Sequence, residues 1–327
     1  MVTMEDVARR AGVTGRTVFN VLHNPKKVSE KTREKVRKAI KDLNYRENFV
    51  ARSLVTGRTK TIGFITPDIV SPFFQNMFND LEDRFIENDY NMIICTCRNK
   101  LQMQKYYIEM LLRRGVDGLV LNVSHLNIDY LEEVKSNIPV IVFDAYSRNY
   151  PFPNYQSDFA KAISNIVKKL YDQGSRRIVF LDNPVAVDVD DVKLRGIAYC
   201  ETMKELGLEP EIYEFAGENA SEILDKLTDH IPHAVLSDSD YFIFSLIKRA
   251  YEKGIDIKKK CNLVGFDNYN LSQTMGFSTV LQDTETMAKA IADDMLAMLS
   301  GKEIAPTTKL FDCIFIDRGT NNISFKK

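Results

Sequence analysis

Two groups of side chains in this sequence carry usable chemistry: hydrogen-bond donors near its start, and carboxylates at the ends of apolar runs further on. In "MEDVARRAGVTGRTVFNVLHN", Met4 to Asn24, Arg16 can donate two parallel hydrogen bonds to guanine O6 and N7, and Asn20 can pair similarly with adenine. Thr14, Thr17, Ser29 and Thr32 stand near expected helix starts, where hydroxyls and backbone N–H groups hold phosphates and set register. Later, Asn122 follows "GLVL", Asp144 follows "VIVF", Asp240 follows "AVLSDS" and Asp267 follows "LVGF". Carboxylates accept hydrogen bonds from hydroxyls, Lys193 can donate to ring or hydroxyl oxygens, and Phe73 and Phe74 in "SPFF" offer aromatic faces. Such a set suits a sugar or similar polyol. For any single aspartate, a helix-cap or turn role accounts for the residue as well as ligand contact does.

Other chemistries lack their residues. No GxGxxG or GxxxxGK loop is present to cradle a dinucleotide or nucleoside triphosphate, and no GxSxG nucleophile turn occurs. The four histidines, His23, His125, His230 and His233, show no HExxH or other zinc spacing. Cys95, Cys97, Cys200, Cys261 and Cys313 are odd in number, lack metal-ligand spacing and mostly lie in apolar stretches, which reads as reduced core thiols in a cytosol. The expectation is a site that binds without reacting, with no cofactor and no metal. No run of about 18 apolar residues appears and no export signal opens the chain, so a cytoplasmic protein that does not span a membrane is expected.

The elements that must position these residues fall into two sets. Thr3 with Asp6 resembles a capping box, and Val7, Ala8 and Ala11 form the apolar stripe of a first short helix ending at Gly12. Thr14 can cap a second helix with Val18, Val21 and Leu22 inward, leaving Gly15, Arg16, Phe19, Asn20 and His23 outward. A third helix starts at Ser29, with Val36, Ile40 and Leu43 as its stripe. Two helices joined by a tight turn make a helix-turn-helix, whose second helix meets base edges in the major groove. From Lys60 onward, the apolar runs "TIGFIT", "NMIICT", "GLVLNV", "PVIVFD", "RIVFLD", "IYEF", "AVLSD" and "NLVGFD" alternate with amphipathic stretches, the rhythm of βαβ units in parallel sheets. The units form two sets split near Gln156 to Asp158.

Charge divides in the same way. Residues 1–60 hold 15 Lys and Arg against 6 Asp and Glu, and the remainder holds 29 against 39, although the whole chain of 327 residues has a net charge of -1. A basic front and an acidic remainder point to a polyanion partner for the front, with nucleic acid as the first candidate.

In order along the chain, "MEDVARRAGVTGRTVFNVL", "VSEKTREKVRKAIKDLNY", "NYRENFVARSLVTGRTKTIGFITPDIVSPFF", "VDGLVLN", "LVGFDN" and "FIDRGT" closely resemble the LacI/GalR family of transcriptional repressors. The resemblance implies an α/β chain in three parts: a small all-α helix-turn-helix domain over 1–46, a hinge helix and linker over 47–59, and an effector-binding domain over 60–327. That last part is expected to be two-lobed and periplasmic-binding-protein-like, with Rossmann-like parallel sheets and three chain crossings. Its first lobe is expected at about 60–157 and 283–308, and its second at about 158–282 and 309–327. Asn48 to Val55 match a short hinge helix that orders on operator DNA, with Asn48 as cap, Ala51 on the apolar face and Leu54 at the minor-groove wedge. Eight residues are too few for a stable isolated helix, and a wedge of this kind kinks the duplex.

The resemblance adds Thr3, Gly15, Phe19, His23 and Lys27 to the expected DNA contacts, Lys27 on the backbone. It places an effector site at Phe73, Phe74, Asn122, Asp144, Lys193, Ser239 with Asp240, Asp267 and Gln282. There are departures. Phe19 stands where a small residue is usual, Asn20 where arginine is frequent, His23 where asparagine is usual, and Gly15 removes a base-reading side chain. Lys193 replaces an arginine, and an aromatic often found near Gly217 is missing from "FAGENASE". The implied function is a homodimeric repressor on palindromic double-stranded operator DNA, without a coiled-coil tetramer extension, controlled by a small-molecule effector, most simply a sugar. The alternatives are a cytoplasmic sugar-binding protein without regulatory DNA binding, and a corepressor-dependent regulator responding to a non-sugar metabolite.

Overall fold

A computed structural model describes residues 2–46, 53, 57–122, 128–145, 151–182, 190–215 and 220–320, leaving aside the side chains of 128, 190–193 and 220. It divides the chain into two compact units, Met1–Lys60 and Thr61–Lys327. The hinge residues Asn48, Ala51 and Leu54 lie outside the described residues, as does the side chain of Lys193.

The first unit is helical. Helix α1 (Met4–Ala11) opens on the capping box, in which the Asp6 amide donates to Thr3 Oγ1 at 3.3 Å and the Thr3 amide to Asp6 Oδ2 at 3.0 Å. These hydrogen bonds from the Thr3 backbone and hydroxyl hold the Asp6 carboxyl below its ordinary range. Gly12, at φ 68°, adopts the left-handed turn that ends α1 at little steric cost. Helices α2 (Gly15–His23) and α3 (Glu30–Asp42) follow, separated by a 3-10 turn at Pro25–Lys27. Val7, Ala8, Val18, Val21, Val36 and Ala39 make a shared core, with Leu22, Ile40, Leu43 and Tyr45 packed around it.

The second unit holds two six-stranded sheets. The first is built from β1 (Thr61–Thr66), β2 (Asn91–Thr96), β3 (Gly118–Asn122), β4 (Val140–Phe143), β5 (Asn154–Ser157) and a late strand, β11 (Thr308–Phe311). Its strand order is β11-β5-β4-β3-β1-β2, and every pairing is parallel. The second contains β6 (Ile178–Asp182), β7 (Glu211–Glu214), β8 (Ala234–Ser237), β9 (Asn262–Phe266), β10 (Ser278–Gln282) and β12 (Cys313–Ile316), in the order β12-β10-β9-β8-β6-β7. Only β12 runs antiparallel to its neighbour. The central strands are apolar on both faces because both faces are covered by helices.

In the first lobe, α4 (Pro72–Ile86) and α12 (Thr284–Leu299) pack with Ile62, Phe64, Ile141 and Phe143 on one face. On the other face, α5 (Leu101–Arg113) and α6 (Ile128–Lys135) pack with Ile65, Leu119, Leu121 and Val142. In the second lobe, α7 (Phe159–Asp172) and α8 (Asp190–Glu205) cover one face, and α9 (Ala220–Asp229) and α10 (Asp240–Glu252) the other. A short α11 (Asn270–Met275) sits between β9 and β10.

The chain passes between the lobes after Ser157, after Gln282 and after Phe311. The last passage falls later than the 308/309 boundary read from the sequence. Thr308–Phe311 pairs in parallel register with Asn154–Ser157 and so completes the first sheet before Asp312 turns away. No described helix is long and apolar enough to cross a membrane, and all five cysteines are unpaired thiols.

Candidate functional site

In the helical unit, α2 separates an inner face from an outer one. Thr14 caps it, its Oγ1 accepting from the Thr17 amide at 3.3 Å and lying 2.9 Å from Thr17 Oγ1. Val18 and Val21 are buried, which fixes the roll of the helix about its axis. That roll leaves Arg16 exposed and Gly15, Phe19, Asn20 and His23 half-buried, with the rings of Phe19 and His23 4.6 Å apart. Lys27 is exposed beyond the helix. Ser29 precedes α3 with its hydroxyl 2.9 Å from that of Thr32, and Thr3 is exposed beside its capping partner. Thr3 and Thr14 therefore serve as helix caps in this structure, Thr17 bonds the second of them, and Arg16 and Asn20 lie on the outer face of α2.

In the second unit, the carboxyl ends of both sheets converge on the crossing segments. Asp144 follows β4 with φ 51° and Asp267 follows β9 with φ 80°, both in the left-handed region that side chains rarely adopt. The two are built alike. The Asp144 amide donates to Tyr155 O at 2.7 Å and the Asp267 amide to Val280 O at 2.8 Å, so each bend is clamped by the neighbouring crossing strand. Cys313, the first residue of β12, lies within electrostatic reach of both carboxylates, and burial pushes its thiol up to about 12.

A hydrogen-bond chain joins the crossings to the site. Ser157 Oγ donates to Gln282 Oε1 at 2.8 Å, and Gln282 Nε2 donates to Asp267 Oδ1 at 2.8 Å. Asn122, buried, donates through Nδ2 to Phe143 O at 3.3 Å and Asp144 O at 3.5 Å. Burial raises the Asp267 carboxyl above its ordinary value, while Arg195 and the Gln282 amide pull it down. Burial pushes the Tyr269 phenol up to about 12, and Ser71 of the other lobe acts to lower it.

The expected effector set divides. Asn122 bonds the Asp144 backbone at the end of the first sheet and Gln282 bonds the Asp267 carboxyl at the end of the second, whereas Asp240 is enclosed. It is fully buried at the first turn of α10, where Oδ1 accepts from Thr279 Oγ1 at 2.6 Å and Oδ2 from the Tyr269 amide at 2.7 Å. Gly265 makes the room: a Cβ there would stand 2.0 Å from Asp240 Oδ1. Asp240 thus ties β10 and the turn after β9 to α10, and burial raises its carboxyl to about 7. Ser239 is the cap of α10, accepting from the Tyr241 amide at 3.3 Å. Phe73 is a core residue against Phe143, whereas Phe74 beside it is half-buried.

Sequence reasoning passed over Arg195. Its guanidinium lies 4.2 Å from the Phe159 ring and 4.0 Å from the Phe266 ring, and its Nη1 donates to Asp238 O at 2.8 Å. A signal existed: Arg195, Ala198, Tyr199, Thr202 and Met203 recur at helical spacing and are all buried, and an arginine on an apolar stripe requires partners.

Comparison with known proteins accords with this architecture. Residues 3–48 match the family of bacterial regulatory proteins of the lacI type, and residues 167–321 match the periplasmic binding protein-like domain. The HTH-type transcriptional repressor CytR of Escherichia coli strain K12 is 28% identical over 97% of this chain and 96% of its own. The HTH-type transcriptional repressor PurR of Edwardsiella ictaluri is 29% identical over 95% and 94%. Among solved structures, the Lac repressor dimer bound to operator and the anti-inducer ONPF has the same fold, with a TM-score of 0.82, 22% identity, and coverage of 98% of this chain and 99% of that one. With a lacI-type head at its start and a periplasmic-binding-protein-like domain behind it, the chain has both parts of a LacI-type regulator and is similar to such repressors over nearly its whole length.

Proposed function

We propose that this protein is a transcriptional repressor that reads a near-palindromic operator with the heads of two copies. In this reading it is gated by a small polyhydroxylated effector, a sugar or sugar derivative, between the lobes. The observation that carries the reading is α2: its inner face is locked by Val18 and Val21, so Arg16 and Asn20 are presented together on the outer face. Arg16 reads guanine, Asn20 reads adenine, and Lys27 with the hydroxyls of Ser29 and Thr32 holds phosphates. The repressor names of the similar chains, and the operator in the Lac repressor dimer, support it.

Asp144 and Asp267 accept hydroxyls of the effector from opposite lobes, with Asn122 and Gln282 beside them and Phe74 as an apolar wall. A ligand that touches both lobes favours one angle between them. It shifts DNA affinity only by as much as its own affinity differs between the two arrangements. The site binds its ligand without turnover, and the protein works in the cytoplasm, where its operator lies.

The decisive experiment selects duplexes from a random pool with the full-length protein. Binding to the selected duplex is then measured across a panel of sugars, sugar phosphates and purines. A symmetric consensus whose affinity shifts with a sugar is the expected result. No enriched sequence at low ionic strength, with any of these compounds, would overturn the DNA reading. Response only to purines would replace the sugar by a non-sugar corepressor or inducer.

A further inference from the structure

Phe19 is the one aromatic residue of the described head that its core does not use. The core of Val7, Ala8, Val18, Val21, Val36 and Ala39 gathers Leu22, Val28, Ile40, Leu43 and Tyr45 around it, and Phe19 is absent from that packing. It lies instead on the outer side of α2, three residues after Arg16 and four before His23. Its ring sits 4.6 Å from that of His23 with the planes at 47°. Residues three and four apart share a helix face, so Arg16, Phe19 and His23 form one surface. The residue one turn before Phe19 is Gly15, which has no side chain to stand between the ring and whatever approaches the start of the helix.

Phe19 is half-buried, and the part of its ring that stays open lies on the outer surface of α2, the surface that a recognition helix presents to base edges. Hydrogen-bonding edges dominate the major groove, and its apolar feature is the C5-methyl group of thymine. Side chains in helices lean toward the N-terminus, which carries the Phe19 ring toward the turn that holds Arg16. His23, leaning the same way, backs the ring and restricts its rotation.

We infer that Phe19, held from behind by His23, reads the methyl group of a thymine in each operator half-site, next to the base pair read by Arg16. The inference rests on the DNA reading above and names a specificity-determining contact within it. Burying one methyl group corresponds to about a fourfold preference per half-site, or about fifteenfold for a symmetric pair.

The test uses the full-length protein and the selected consensus duplex. Each thymine of the half-site is replaced in turn, symmetrically, by deoxyuridine, which keeps base pairing and all hydrogen-bonding groups and lacks only the methyl. Kd is read by fluorescence anisotropy. The wild type should lose about fifteenfold at one symmetric position. Phe19→Ala should bind the thymine and uracil duplexes equally, and Phe19→Leu, which keeps an apolar side chain, should retain part of the difference. If Phe19→Ala binds too weakly to measure, a reduced thymine-to-uracil ratio for Phe19→Leu carries the same result. A consensus without thymine in the half-site overturns the inference, as does a wild type indifferent to every replacement or a Phe19→Leu ratio equal to that of wild type. In all three cases the symmetric consensus still stands, so failure here is separate from failure of the DNA reading, which shows as no consensus at all.

Discussion

Replacing Gly265 by alanine asks whether Asp240 is a structural tie or a ligand contact. The added Cβ would stand 2.0 Å from Asp240 Oδ1 and 3.0 Å from Asp240 Cα. Strand β9 is hydrogen-bonded on both sides, to β8 and β10, so it cannot slide away from the overlap. The carboxyl group must swing instead, losing the Thr279 hydroxyl at 2.6 Å and the Tyr269 amide at 2.7 Å. At about pH 8, above the value of about 7 to which burial raises Asp240, the carboxyl is ionised, and two hydrogen bonds to a charged acceptor are worth about 3 to 6 kcal/mol together. For a unit of this size that corresponds to a fall in Tm on the order of 10 °C. Thermal unfolding of the full chain followed by circular dichroism would measure it, taking the transition of the larger unit. Asp240→Ala should also destabilise, because it strands the same two donors, and on that background Gly265→Ala should cost far less than it does alone. Additive effects, or a Gly265→Ala melt within about 2 °C of wild type, would refute the reasoning and return Asp240 to the ligand site.

Three further outcomes follow from the same geometry. Burial raises Asp240 from 3.8 to about 7 in the folded chain, so between those values the folded state holds a proton that the unfolded state lacks. The stability this group supplies is full below about pH 4 and lost as pH rises through 7, at most about 4 kcal/mol; Asp240→Asn should flatten that part of a Tm-against-pH curve. Arg16→Ala should relax preference at one symmetric pair of base pairs in a repeated selection, whereas Lys27→Ala should weaken binding to all sequences and lower the salt slope by about 1. Asp267→Asn keeps a residue tolerant of the left-handed backbone at φ 80° while removing the charge. Calorimetry should show effector affinity reduced about 10- to 100-fold with DNA affinity retained.

Much of the fold was legible because burial on both faces leaves a continuous apolar run. "TIGFIT" and "NMIICT" coincide with β1 and β2, and "GLVLNV", "RIVFLD" and "NLVGFD" contain β3, β6 and β9. The capping box, Gly12 and the inward stripe of α2 were legible because local chemistry dictates them. The crossing strands were not. In β5, "NYQS", Asn154, Gln156 and Ser157 are buried polar residues whose side chains bond Ala145 O and Gln282, and β11 is a largely exposed edge. Neither shows an apolar run, because β5 buries polar side chains on hydrogen-bond partners and β11 stays largely exposed.

The candidate site divided for the same reason. Asp144, Asp240 and Asp267 all follow apolar strands, and only three-dimensional placement separates the two in left-handed bends from the one enclosed behind Gly265. Arg195 was visible as a charge on an apolar helical stripe. Its placement between Phe159 and Phe266 depends on the first crossing bringing Phe159 to the end of β9.

Gln282 occupies two posts at once. It is the last residue of a crossing strand, and its amide links Ser157 of another crossing strand to the Asp267 carboxylate. In the proposed effector site, chemical taste and mechanical stiffness are thereby soldered at a single side chain on this flank. A substitution there that retunes which compound is preferred also alters how freely the lobes swing. On the other flank Asn122 bonds Phe143 O and Asp144 O within its own lobe, so descendants of this protein can explore new compounds at Asn122 with less effect on the joint.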